Sequence, residues 1–304
     1  MLQKLIVILG PTAVGKTKFA VQLAHKFNGE IISADSRQVY KTMDIGTGKD
    51  LAEYTIENSN IPFHLIDIVN PNQEYNLFSF QNDFYNAINK IVKNKTVPFL
   101  TGGTGLYIHS ILKNYKLEEV DFNSKRAKFL ETLAEEQLEV ILNSLNITLH
   151  NVTDSTDKER LLRAILVAEN KAEKKYLTNL PDFNFETLVI GIGESREIIR
   201  ERITTRLKNR LENGMIEEVN KLIESGITYE KLDYFGLEYK YIGRFIKGES
   251  NYNDMFQRLN TSIHQFAKRQ MTWFRKMEKE GININWLKFD EIIKAETLIN
   301  NFLK

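Results

Sequence analysis

The segment Gly10-Pro11-Thr12-Ala13-Val14-Gly15-Lys16-Thr17 satisfies the phosphate-loop spacing G-x-x-x-x-G-K-[ST] at every position. The chemistry of that spacing is anion binding. Successive backbone N–H groups and a helix N-terminus face the phosphates, the lysine adds a point charge, and the hydroxyl that follows reaches a magnesium ion. Lys16 and Thr17 hold those last two positions. The pattern states that a di- or triphosphate binds, and leaves open which one and what becomes of it. The competing reading is a chance match in a glycine turn. A second segment, Ser33-Ala34-Asp35-Ser36-Arg37-Gln38-Val39-Tyr40, runs on into Met43-Asp44-Ile45-Gly46-Thr47-Gly48-Lys49. The Asp35 carboxylate can hold magnesium through water or act as a general base; alternatively Asp35 or Ser36 caps a turn of helix. The third is Thr101-Gly102-Gly103-Thr104-Gly105. Its glycines permit close backbone approach to a ligand, or form a plain tight turn.

These segments need elements to position them. Leu5-Ile6-Val7-Ile8-Leu9 reads as a buried strand, and Phe19, Ala20, Leu23, Ala24 and Phe27 mark one face of a helix after the loop. Residues 30–35 read as a second strand, Phe80, Phe84, Ala87, Ile88 and Ile91 follow helical spacing, and residues 96–100 read as a strand that ends at Gly102-Gly103. The alternation predicts a parallel sheet covered by helices, an α/β fold of the P-loop NTPase-like kind over residues 1–117. In such sheets ligands bind beyond the carboxyl ends of the strands, where Gly10, Asp35 and Thr101 would all lie. Residues 118–182 are rich in Leu, Glu, Lys and Asn and predict a mostly helical insertion. There Thr156 and Glu159 match a capping box ahead of Leu161, Leu162, Ile165 and Ala168. Residues 183–304 return to the sheet at Thr187–Ile192 and are helical afterwards.

Composition narrows the class. The 304 residues are 42% hydrophobic and 27% charged, ordinary for a globular chain. With no cysteine there is neither a disulfide nor a cysteine-ligated zinc site. No signal peptide and no membrane span is expected, so a cytoplasmic protein is the default. The net charge of +1 does not decide for or against nucleic acid. Locally, Arg196, Arg200, Arg202, Arg206, Lys208 and Arg210 crowd one segment and Lys268, Arg269, Arg275 and Lys276 another; on charge alone these read as solvated helix faces.

Taken in order, GPTAVGKT, ISADSRQVYKTMDIGTGK, TGGTGLYI, the pair Arg160 and Arg163 in DKERLLRAI, RERITTRLKNRLENGMIEEV and FAKRQMTWFRK resemble the tRNA dimethylallyltransferase (tRNA isopentenyltransferase) family, bacterial type, to about residue 288. The resemblance implies transfer of a dimethylallyl group from its diphosphate to N6 of the adenosine 3′ of the anticodon, position 37, in tRNAs that read codons beginning with U. It places the donor's diphosphate, and not ATP, on residues 10–17 with Arg160 and Arg206, and Mg2+ at Thr17. It makes Asp35 the general base and sets Thr101 and Arg206 near the reacting centre. It assigns tRNA contacts to Asp35, Ser36, Arg37, Gln38, Thr101, Arg160, Arg163, Gln265, Lys268 and Arg269, with Gln270 beside them. A monomer with one tRNA per site is the plain expectation. Trp273 and Phe274 read as core anchors by helical spacing, with wedging against the extruded base as the alternative. The chain departs from the pattern at Glu238, where a smaller residue is usual, and without cysteine it lacks the zinc-finger extension of eukaryotic relatives.

Three other readings compete. A phosphate-loop kinase would use Asp35 for its acceptor, but no further apolar strand ends in a magnesium-binding aspartate. A prenyltransferase of free adenine nucleotides would need neither the basic C-terminal helix nor the insertion. A non-catalytic RNA-binding module is at odds with the complete set of Lys16, Thr17 and Asp35.

Overall fold

Apolar runs bounded by turn residues become the strands of one sheet. The computed structural model describes residues 2–117, 119–122, 124–145, 158–173 and 184–304, and the chain divides into two units: Met1–Asn114 with Asp182–Lys304, and Tyr115–Pro181. In the first unit the chain runs through β1 (Gln3–Leu9), α1 (Lys16–Lys26), β2 (Gly29–Ala34), the short hairpin β3 (Thr55–Ile56) and β4 (Ser59–Asn60), β5 (Phe63–His64), α2 (Leu77–Asn94), β6 (Val97–Gly102) and α3 (Gly105–Leu112). After α4 (Lys125–Glu131), α5 (Glu135–Ser144) and α6 (Lys158–Glu173) of the second unit, it returns with β7 (Phe185–Ile192), α7 (Arg196–Glu212), α8 (Met215–Glu224), α9 (Tyr229–Phe235), α10 (Leu237–Ile246), α11 (Tyr252–Lys279), β8 (Ile284–Leu287) and α12 (Ile292–Leu303).

The sheet has the order β5-β2-β6-β1-β7-β8 and each described pairing in it is parallel. The expected α/β fold is therefore the observed one. Leu5 to Leu9 of the central strand are fully buried because helices cover both faces, which is why they read as an unbroken apolar run. Phe19, Ala20, Leu23 and Ala24 of α1 pack with Ile6, Ile8, Ile31 and Phe99 in the main core. Phe80, Phe84, Ala87, Ile88 and Ile91 of α2 are all buried.

Patterning expects mostly helix after residue 192 and marks no further strand, yet Ile284–Leu287 forms edge strand β8, paired with β7 from Val189 to Ile192. Four residues are too few to establish a period of two, and the two-residue β5 is shorter still. In the second unit Ala127, Leu130, Leu138, Leu142, Leu161, Leu162, Ile165 and Leu166 form a separate small core. Arg126 forks onto Glu169 at 3.0 and 2.6 Å across that unit's surface. Thr156 of the expected capping box lies outside the described residues.

Candidate active site

The sheet register sets the site. Leu9 and Ala34 both pair with Gly102, so Gly10, Asp35 and Gly103 leave the sheet at one level. The polar cavity beyond them has a volume of about 970 Å3, and Thr12, Lys16, Thr17, Asp35, Thr101 and Arg206 all line it. The sequence expectation that three segments meet at one sheet edge is met in this geometry.

The phosphate loop is tied down on its outer side by Gln270 of α11. Its Oε1 accepts the Thr12 N–H at 2.8 Å and its Nε2 donates to the Gly103 carbonyl at 2.9 Å. Gln270 is buried and its amide is spent within the protein, whereas sequence reasoning put it beside the RNA contacts. Gly15 starts α1 in the left-handed region (φ 83°), and a side chain there would press on the Phe289 ring at 3.0 Å. The Lys16 ammonium donates to the Pro11 carbonyl at 3.4 Å. Burial lowers its pKa to about 8, opposed by the charge of Asp35 and reinforced by Arg206.

Asp35 sits one residue past β2, in a turn instead of the strand. Its Oδ1 accepts the Arg37 N–H at 2.9 Å and the Gln38 N–H at 3.4 Å, while Oδ2 accepts no hydrogen bond among the described residues. The capping and chemical roles are thus divided between the two oxygens: one fixes the turn and the other is left for a ligand. Ser36 N–H donates to Thr104 Oγ1 at 3.1 Å, and Gln38 links Ser33 at 3.3 Å to the Gly48 carbonyl at 3.2 Å. Arg37 lies over the Tyr234 ring at 5.2 Å. The Thr101 hydroxyl is buried and has no hydrogen-bond partner among the described residues. The neighbouring glycines admit protein instead of ligand: a side chain at Gly103 would strike Gln270 at 2.3 Å and one at Gly105 the Trp273 Cβ at 2.7 Å.

The opposite wall is built by one face of α7, where Arg202, Arg206 and Arg210 follow one another at every fourth residue. Arg196, Arg200 and Lys208 are exposed, so the solvated-face reading holds for them and fails for Arg206 and Arg210. Arg206 Nη2 donates to the Gly48 carbonyl at 3.5 Å. The 44–50 loop that carries this carbonyl is held by a half-buried carboxylate, Glu218, and a buried ammonium, Lys49. Glu218 of α8 accepts the N–H groups of Asp44, Ile45 and Gly46 at 2.8, 2.7 and 3.0 Å, and the Tyr239 hydroxyl at 2.7 Å. Lys49 is buried against Asp44 at 2.7 Å, Asp67 at 2.5 Å and the Tyr40 carbonyl at 2.8 Å.

Arg160 and Arg163 lie on α6 in the second unit; Arg160 is exposed and Arg163 stacks over Phe122 at 4.9 Å. Gln265, Lys268 and Arg269 are exposed on α11, away from its buried face of Met255, Leu259, Ile263 and Ala267. Phe274 is fully buried and Trp273 packs half-buried on Gly105 and His109, which supports the anchor reading for both.

Comparison with known proteins shows the family. The profile of the family described as IPP transferase matches residues 38–277, and that described as isopentenyl transferase matches residues 3–60. The chain belongs to the tRNA isopentenyltransferase (dimethylallyltransferase) family. It is 50% identical over 286 residues to tRNA dimethylallyltransferase 1 of Geotalea uraniireducens, covering 94% of this chain and 93% of the relative. The full-length tRNA isopentenylpyrophosphate transferase of Bacillus halodurans superposes with a TM-score of 0.72 at 30% identity, over 99% of this chain and 97% of that one. A eukaryotic dimethylallyltransferase acting on tRNA gives 0.74 at 28% identity, over 94% and 74%.

Proposed function

We propose that the chain transfers a dimethylallyl group from dimethylallyl diphosphate to N6 of the adenosine immediately 3′ of the anticodon, position 37, in tRNAs reading codons that begin with U. The observation that carries this reading is the meeting, in one cavity, of a phosphate loop with an aspartate that keeps one carboxylate oxygen unengaged. The diphosphate lies along the loop of residues 10–17, on N–H groups that exclude Pro11, which has none, and Thr12, whose N–H is taken by Gln270, with Lys16 and Arg206 supplying charge from the two walls. In the transfer, the N6–C1 bond forms and the C1–O bond to the diphosphate breaks. The amine proton passes to Asp35 Oδ2 and diphosphate departs. An aryl amine is a weak nucleophile, so the base and the stabilised leaving group are both required. Oδ1 is held by two backbone N–H groups, which fixes the direction of Oδ2. Lys16 and Arg206 stabilise the charge that grows on the departing diphosphate. The buried Thr101 hydroxyl, lacking a protein partner among the described residues, hydrogen-bonds the incoming nucleotide.

Thr17 lies in the first turn of α1 and lines the cavity, while no group of three or more His, Cys, Asp or Glu side chains able to hold a metal occurs among the described residues. One hydroxyl with the diphosphate oxygens and water suits Mg2+, which keeps several waters and binds through substrate phosphates. When bound, Mg2+ supplies charge neutralisation of the leaving group.

Ser36, Arg37, Gln38, Arg160, Arg163, Gln265, Lys268 and Arg269 hold the tRNA in this proposal, the exposed cations through backbone phosphates. Among the described residues no helix is long and apolar enough to cross a membrane, and a cytoplasmic monomer acting on one tRNA is the arrangement proposed. The test is to offer labelled dimethylallyl diphosphate and Mg2+ with an anticodon stem-loop and, separately, with AMP and with ATP. Label on the stem-loop adenine is expected. Label on AMP alone would replace the reading with a nucleotide prenyltransferase, and ATP hydrolysis without transfer would replace it with a kinase-like enzyme.

A further inference from the structure

Arg210 is a cation without adequate partners. It lines the cavity from α7, its side chain is only 16% exposed, and its Nη2 is buried with no hydrogen-bond partner among the described residues. Among the described residues its carboxylate neighbours are Glu238, 4.0 Å from Nη1 and beyond hydrogen-bond reach, and Asp50, which forms no ion pair with it. Buried polar groups are almost always hydrogen-bonded, and a buried guanidinium whose counter-charges all stand beyond hydrogen-bond reach costs more than those pairs return. The electrostatics agree: burial and the charge of Arg206 bring the Arg210 pKa down to about 10, and burial pushes that of Glu238 up.

Gly48 shows where the two arginines converge. A Cβ there would lie 1.8 Å from Arg210 Nη2 and 2.3 Å from Arg206 Nη2. The two guanidinium groups therefore crowd one point beneath a glycine in the left-handed region (φ 68°). Two like charges are held together in a cavity wall that faces the phosphate loop. Glu238, the position where this chain departs from the expected family pattern, stands 4.0 Å from Arg210 and one carboxylate does not neutralise both cations.

We propose that Arg206 and Arg210 form a two-guanidinium fork that binds the phosphate oxygens of the prenyl donor's diphosphate at the Gly48 turn, with Glu238 as the positioning residue of Arg210. The proposal rests on the prenyl-transfer reading above. A phosphate oxyanion is the chemistry the fork recognises, and the donor and the tRNA backbone are its two possible sources.

The test is calorimetric titration of inorganic pyrophosphate and, separately, of an anticodon stem-loop into wild type, Arg210→Met, Arg210→Lys and the double variant Arg210→Met with Glu238→Gln. Thermal melting serves as the folding control. Arg210→Met should weaken pyrophosphate about 10–100-fold, the size of a lost hydrogen bond to a charged group, and leave stem-loop affinity within about twofold. The double variant should not recover. Arg210→Lys, read instead if Arg210→Met fails to fold, should also weaken pyrophosphate because an ammonium lacks the planar fork. Recovery in the double variant would overturn the proposal by showing that Arg210 serves only as the counter-ion of Glu238. A loss confined to the stem-loop would overturn it in favour of an RNA phosphate. Pyrophosphate binding that depends on Arg210, in a protein that prenylates nothing, would support the fork and remove the prenyl-transfer reading; absence of pyrophosphate binding by the wild type would remove both.

Discussion

The two walls of the cavity are built by different means. The phosphate-loop wall is made of backbone: strand ends at one register level, the loop of residues 10–17 and a helix N-terminus, with the loop and helix start contiguous in the chain. The α7 wall is made of side chains, Arg206 and Arg210, and the loop they reach is held by Glu218 more than a hundred and fifty residues away. A backbone device tolerates change wherever the local geometry survives. A side-chain device fails with single atoms, and its parts are scattered through the sequence. The first wall therefore defines what is bound, and the second completes the charge needed for departure.

The comparison can be broken at its centre by Asp35→Ala. Removing the oxygen that receives the proton should lower turnover about 10²–10⁴-fold while the stem-loop still binds. Single-turnover rates beside a stem-loop binding isotherm read both quantities, and an unchanged rate would exclude Asp35 as the base. Next in size is Glu218→Ala, which strips the acceptor from three backbone N–H groups and the Tyr239 hydroxyl. It should cost about 2–3 kcal/mol in denaturant unfolding and raise the donor KM through the loosened loop. A stability loss with an unchanged KM would show that the loop does not support the α7 wall.

A smaller effect separates the walls by pH. Lys16 attracts diphosphate only when protonated, and burial has brought its pKa to about 8. Diphosphate binding favours the charged form, so affinity is full below about pH 8 and falls as pH rises through it. The donor KM should climb above pH 8 in the wild type and lose that rise in Lys16→Met, as KM measured from pH 7 to 9.5 would show. The smallest effect is Lys268→Ala, on the exposed face of α11. It should weaken the stem-loop a few-fold and reduce the salt slope of binding by about one. An identical slope would take α11 out of the RNA surface.

Legibility in the sequence followed the same division. Residues 10–17, Asp35 and Thr101 announced themselves because glycine spacing and apolar strands are local signals, and the parallel sheet followed from their alternation. Asp35's divided carboxylate was not legible, since capping and catalysis use the same residue type at the same place. Arg206 and Arg210 were visible only as members of a basic cluster, in which helical phase and burial, not charge, separate them from Arg200 and Lys208. Glu218 carried no signal, because it acts on a loop far away in sequence; Gln270 was read with the RNA-contacting helix and Lys49 only as the end of a glycine-rich segment, because neither position tells which buried partners it holds. Strand β8 was too short for its period to register.

The most direct test of the account is whether both walls close on the same diphosphate. Product inhibition by pyrophosphate should be measured for wild type, Lys16→Met and Arg206→Met, with stem-loop affinity followed in parallel. The account predicts that each substitution weakens pyrophosphate inhibition about tenfold or more and leaves stem-loop affinity nearly unchanged. Undiminished pyrophosphate inhibition in Arg206→Met, with weakened stem-loop binding, would contradict it and make the α7 wall part of the RNA surface.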